Sequence, residues 1–183
     1  MHIKRILMDV FVVGSDLAAA TLVWSMTEVI KSSIVVKRAQ EEVRTKIGTK
    51  EIIEESDLHK LSYMKLVIKE AFRLHPPAPL LLWETNEDFT INGYNIPIKT
   101  KVVINGNAIS MDSKYWENPE EFRPERFLEN INNFKGHDFE MLPFEGGRRS
   151  CPGMNFAEVL VELVLANLLP CFDWKLPYGM KAK

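Results

Sequence analysis

PFEGGRRSCPG, Pro143 to Gly153, sets two adjacent glycines ahead of two arginines and a cysteine, and follows the cysteine with Pro-Gly. An apolar helical pattern, MNFAEVLVELVLANLL, begins at once from Met154. A single cysteine is most often a small buried hydrophobe. Cys151 departs from that reading because it directly precedes a helix, where backbone N–H groups and the positive dipole end favour thiolate over thiol. Arg148 and Arg149 add positive charge close by. Gly146, Gly147 and Gly153 let backbone approach something large and flat.

A thiolate is both a nucleophile and a soft metal ligand, so the chemistry forks here. A nucleophilic cysteine wants a histidine base, and none of His2, His59, His75 and His137 is placed to be identified as one. A phosphate-cradling loop would put its arginine after the cysteine, and here both arginines precede it. The remaining branch is a metal centre that needs one protein thiolate, and haem fits it. The porphyrin supplies four donors, the cysteine a fifth, and an arginine can bind a propionate. The other cysteine, Cys171, lies in the apolar LLPCFDW and reads as core.

The rest of the chain narrows the alternatives. With 183 residues, 46% apolar and 26% charged, it has an ordinary globular composition. A net charge of -2 supplies no basic field for nucleic acid, so no nucleic-acid partner is expected. Two cysteines make neither a disulfide framework nor a zinc ligand set, which suits a reducing compartment. The N-terminal stretch has no small-residue cleavage pattern of a signal peptide. It does hold an apolar run from Ile6 to Trp24, interrupted by Asp9 and Asp16. Each carboxylate near a bilayer centre costs roughly 2.5–3.5 kcal/mol, so the run predicts a long helix buried in protein rather than a membrane span.

That helix is predicted over about residues 4–31. IVVKRAQEEVRTKIG reads as a second, amphipathic helix with Gly48 as its stop. A third is predicted over about 62–74, ended by Pro76 and Pro77. The alternation around Asn92-Gly93 predicts a β hairpin over about 88–105. An irregular meander follows over about 110–143, then the cysteine loop at 143–153 and a last helix at 154–169. The fold class is mainly α with a small antiparallel β element, in a single partial domain over 1–183.

The third helix carries a charge on its apolar stripe. In KLVIKEAFRLHPP, Glu70 sits four residues after Leu66 and four before Leu74, so it projects from the apolar face. Arg73 is near enough to pair with it. The spacing alone equally allows a surface ion pair. A buried carboxylate needs a further partner, and Arg123 and Arg126 in FRPERF offer one.

Taken together, Phe144, Gly147, Arg149, Cys151 and Gly153 resemble the cysteine-ligand loop of the cytochrome P-450 haem-thiolate monooxygenases. Glu70 and Arg73 resemble that family's Glu-x-x-Arg, and Arg126 the third member of its Glu-Arg-Arg network. MDVFVVGSDLAAATLVWSMTEVIK is similar to the I helix over the distal haem face, and RLHPPAPLLL and INGYNIP are similar to plant members. The resemblance implies the C-terminal part of the fold, from the distal helix to just past the cysteine-ligand helix. It implies haem b (iron protoporphyrin IX) with Cys151 as axial iron ligand, Arg149 on a propionate, and Phe144 beside the sulfur. Glu70, Arg73 and Arg126 would be a structural lock. Asp16 and Thr21, on a similar face of the distal helix, are the expected proton-handling pair.

The implied activity is O2-dependent oxidation of a small lipophilic, terpenoid- or phenylpropanoid-like substrate. NADPH-cytochrome P-450 reductase supplies the electrons at the cytosolic face of the endoplasmic reticulum membrane. The family's N-terminal anchor and much of its substrate pocket are expected to be absent from this chain. Four positions depart from the family pattern. Asp16 is followed by Leu17 rather than threonine, and LLWETNED has Trp83 where a propionate arginine is usual. Glu145 replaces a usual glycine, and INGNAISMD lacks a usual tryptophan and arginine. They raise two other readings: an oxygen-independent hydroperoxide isomerase on the same fold, and a truncated, catalytically inactive helical domain.

Overall fold

The computed structural model describes residues 2–128 and 139–179. Positions 129–138 of the expected meander, and the last four residues, lie outside the described residues.

Helix α1 runs over His2–Lys31 and α2 over Ser33–Ile47. They are separated at Ser32, whose extended backbone and Oγ, accepting from the Val35 amide at 3.4 Å, cap α2. Gly48 ends α2 with a φ of 75°, which a side chain would resist. Helix α3, Ser62–Leu74, is the pivot of the molecule. Its residues from Leu66 to Arg73 are all buried, because α1, α2, α5 (Met154–Leu168) and a 3-10 turn at Pro124–Phe127 all pack against it. A helix surrounded on every side must satisfy its charges inside the protein, and that makes α3 the place where buried ions appear.

Its first turn is capped from a distance. The N-cap residue, Leu61, has no side-chain acceptor. Glu42 of α2 takes that role, accepting from the amides of Tyr63 and Met64 at 2.9 Å each and from Ser62 Oγ at 3.1 Å. Burial opposes ionisation of Glu42. The bonds from Lys46 and from the two amides outweigh it and hold the carboxyl below its ordinary value.

The β region differs from a single hairpin over 88–105. Strands β2 (Phe89–Ile91) and β3 (Tyr94–Ile96) close on Asn92 and Gly93, both left-handed at φ 49° and 85°. This is the backbone the Asn-Gly signal calls for. Strand β4 (Lys101–Asn105) turns away and pairs antiparallel with β1 (Leu80–Glu84), with Leu81 opposite Ile104 and Trp83 opposite Val102. Leu81 is the buried anchor of that sheet, while Leu80 and Leu82 face out. A short helix α4 (Gly106–Ser110) follows, fitted against the carbonyl of Pro79.

Two expectations of burial are corrected. Helix α1 is exposed from Ile3 to Leu17, with Ile3 and Phe11 at 75% and 70%. The other described elements reach α1 only from Ala18 onward, along the face of Thr21, Ser25, Glu28 and Val29. By length and composition alone, α1 and the helical stretch Met154–Cys171 are long and apolar enough to cross a membrane. Cys171 is also exposed. It ends the 3-10 turn that buries Leu169, so two residues on it points away from the core.

Candidate functional site: a sealed arginine network and an open cysteine loop

Glu70 and Arg73 are fully buried on α3 and meet side by side, Arg73 Nε and Nη2 donating to the two carboxylate oxygens at 2.8 and 2.9 Å. Arg126, from the Pro124–Phe127 turn, donates through Nε to Glu70 Oε1 at 2.9 Å, and so does the Arg123 amide. The remaining guanidinium contacts go to main-chain carbonyls, apart from one from Arg73 Nη1 to Met111 Sδ at 3.6 Å. Arg73 reaches Ser110 at 2.9 Å and Glu121 at 3.3 Å. Arg126 reaches Glu117 at 2.9 Å, Asn118 at 3.3 Å and Glu121 at 3.0 Å. Trp116 lies under both guanidinium groups, 5.4 and 5.9 Å from its ring centroid. Every charge in this cluster is therefore paired and hydrogen-bonded, which a buried ion set requires to be tolerated. Its output is geometric: it fixes the path of a stretch that has almost no regular structure of its own.

The cysteine loop begins on Phe144, which is buried and meets Phe72 of α3 edge to face at 5.0 Å. From there the chain leaves the core and returns, closed by the Cys151 amide donating to the Phe144 carbonyl at 2.9 Å. Between them Glu145 and Gly147 both take left-handed backbone, at φ 60° and 74°. Glycine adopts this freely and glutamate does not, so Glu145 is strained where it stands. Gly147 opens a 3-10 turn through Arg149, and Cβ added at Gly147 would meet nothing within 4 Å. Arg148, Arg149 and Cys151 are exposed, and neither arginine has an ion-pair partner among the described residues. The Cys151 thiol is free. A Cβ at Gly153 would lie 3.8 Å from its sulfur, in ordinary van der Waals contact. The loop thus gathers a thiol, two unpaired guanidinium groups and the start of α5 on one open surface.

A family model described as "Cytochrome P450" matches residues 1–183. The chain belongs to the cytochrome P-450 family. Its family is one of haem-dependent oxidoreductases that incorporate oxygen. The chain is 57% identical to "Cytochrome P450 71A9" of Glycine max over 98% of its own length and 36% of that protein's. It is 57% identical to "Strychnine-11-hydroxylase" of Strychnos nux-vomica over 100% of this chain and 36% of that one. To "Cytochrome P450 71B25" of Arabidopsis thaliana it is 53% identical over 98% of this chain and 36% of the relative. It spans a little over a third of the length of these curated relatives.

Within this P-450 chain, the expected pair on the distal helix is not brought together. Asp16 is exposed and Thr21 is buried at 4%. Five residues of α-helix turn about 140° beyond a full circle, so the two side chains leave α1 on different faces. The Thr21 hydroxyl donates to the Leu17 carbonyl at 2.9 Å, one turn back on its own helix.

Sequence reasoning also missed a second buried charge at the other end of that face. Glu28, 4% exposed, accepts from Lys31 Nζ at 2.9 Å and sits 2.9 Å from His75 Nε2. Trp24 stacks on the His75 ring at 4.0 Å. The spacing Thr21, Ser25, Glu28 at i, i+4 and i+7 is the signal that could have found it.

Proposed function

We propose that this chain forms the haem-thiolate part of a monooxygenase, in which Cys151 would hold the iron of haem b. The cysteine loop carries the reading: a free, exposed thiol at the mouth of α5, beside unpaired Arg148 and Arg149 on a backbone shaped by glycine. Haem would fit that donor set, which offers a soft thiolate for the iron and guanidinium groups for its propionates. When bound, the haem supplies activation of O2 for insertion of one oxygen atom into a small lipophilic, terpenoid- or phenylpropanoid-like substrate.

This chain's residues have separable tasks in that scheme. Cys151 would supply the thiolate from the mouth of α5. Arg149 takes a propionate. Gly147 and Gly153 keep side chains off the surface the porphyrin covers, and Phe144 anchors the loop to α3 from beneath. Glu70, Arg73 and Arg126 lock the meander and do not touch the reacting atoms. Asp16 would act from the solvent-facing side of α1, and Thr21 would offer its hydroxyl proton only after letting go of the Leu17 carbonyl. Electrons come from NADPH through NADPH-cytochrome P-450 reductase, at the cytosolic face of the endoplasmic reticulum membrane.

The test is to add haemin to residues 1–183, reduce it, and record the carbon-monoxide difference spectrum. The red-shifted band of thiolate-ligated haem, lost in Cys151→Ser, is the expected result. No uptake, or the band of imidazole ligation, overturns the proposal for this chain and leaves an inactive helical domain.

A further inference from the structure

The acids Glu28, Glu42, Asp57 and Glu70 each have cationic partners within hydrogen-bond reach. Glu162 is the exception. It sits half-buried on α5, in the turn that drives Val161 and Leu165 into the core at 0% exposure, and it makes no hydrogen bond or ion pair among the described residues. It lines a groove of about 380 Å³ between α5 and α3. The same groove is lined by Tyr63, Lys65 and Lys69 of α3 and Arg38 of α2, with Glu158 one turn earlier on α5 and Leu128.

The cations and the phenol that line the groove are poorly placed to serve it. Arg38 and Tyr63 are both spent on Glu125, at 2.6 and 3.0 Å. Burial pushes the Lys69 ammonium below the ordinary lysine range, with Glu158 as its opposing charge. Lys65 acts on Glu162 only through space, and Glu158 adds like charge. Burial is the largest influence and raises the Glu162 carboxyl to about 7.

We propose that Glu162 is a proton-operated latch. As the neutral acid it closes the seam between α3 and α5. As the carboxylate it loosens that seam, and with it the first turn of the helix that begins just after Cys151. The sign follows from linkage. A carboxyl held above its ordinary 4.5 stabilises the fold fully below that value, and the contribution is lost as pH rises through about 7.

The test compares the 183-residue chain with Glu162→Gln, a neutral mimic of the protonated acid. In chain labelled with 13C at glutamate carboxyls, one signal should titrate near pH 7 and be missing from Glu162→Gln. The wild-type thermal midpoint should fall by about 4 °C relative to Glu162→Gln between pH ~5 and ~8. Over the same range, amide exchange in the first turn of α5 should become faster in wild type than in Glu162→Gln. Lys65→Met should move the titration to higher pH and Glu158→Gln to lower pH. If every glutamate titrates in the ordinary range, or if wild type and Glu162→Gln track each other at all pH values, the latch does not exist. If the midpoint moves while exchange near Cys151 does not, the coupling to the loop is wrong.

Discussion

The Glu70 network and the cysteine loop are made from similar residues and end in opposite states. Each brings arginines together on backbone that is neither helix nor strand. In the network, Glu70 and Arg73 are at 0% exposure and each nitrogen of both guanidinium groups has an oxygen acceptor. In the loop, Arg148 and Arg149 reach solvent and the thiol between the core and α5 is free. The network is finished by the chain itself. The loop's thiol and cations have no such partners among the described residues, and the proposed haem would supply them.

Substitution should expose the contrast most sharply at its extremes. Glu70→Ala leaves two buried guanidinium groups facing each other and should cost about 3–5 kcal/mol in urea unfolding. Arg149→Ala should change stability by less than about 0.5 kcal/mol while weakening haemin uptake. Equal losses from the two variants would erase the distinction. Next in size is Glu42→Gln. It removes the charge of the remote cap on α3 and should cost about 1 kcal/mol near neutral pH. Because Glu42 titrates below its ordinary 4.5, its contribution is complete above that value and disappears as pH falls through the folded one. The cost of Glu42→Gln should therefore shrink in acid, the reverse of the trend set by Glu162.

A smaller effect should go the other way. Glu145→Gly relieves left-handed backbone inside the loop and should raise stability by about 1 kcal/mol, read from the same unfolding curves. A loss would mean the Glu145 side chain makes a contribution larger than its strain. Smallest of all, Cys171→Ala removes an exposed thiol bonded to the Asn167 carbonyl at 2.9 Å. It should leave both stability and haemin uptake unchanged, where Cys151→Ser abolishes the thiolate spectrum.

The legible parts were those where one residue type has one physical use. Asn92-Gly93 demanded a left-handed turn, Pro76 and Pro77 demanded an end to α3, and Glu70 on an apolar stripe demanded cations. Strand β1 was illegible because LLLWE has no alternation and its partner lies some twenty residues later. The Glu42 cap was illegible for the same reason: its acceptor and its donors are far apart in sequence. The expected burial of α1 rested on two carboxylates within an apolar run, without knowing which neighbours would reach it. Of the cysteine loop, sequence conveyed the ingredients; the left-handed strain at Glu145 and the tie from Cys151 to Phe144 required backbone.

The way Arg73 and Arg126 grip the meander has one more consequence. Their bonds go to the carbonyls of Ser110, Glu117, Asn118 and Glu121, which every amino acid carries. The two arginines behave as a mould that registers only the course of the peptide chain. The side chains at 117–121 stand outside that grip, answering instead to local demands such as the left-handed backbone at Asn118 and the pair of Glu117 with Arg123.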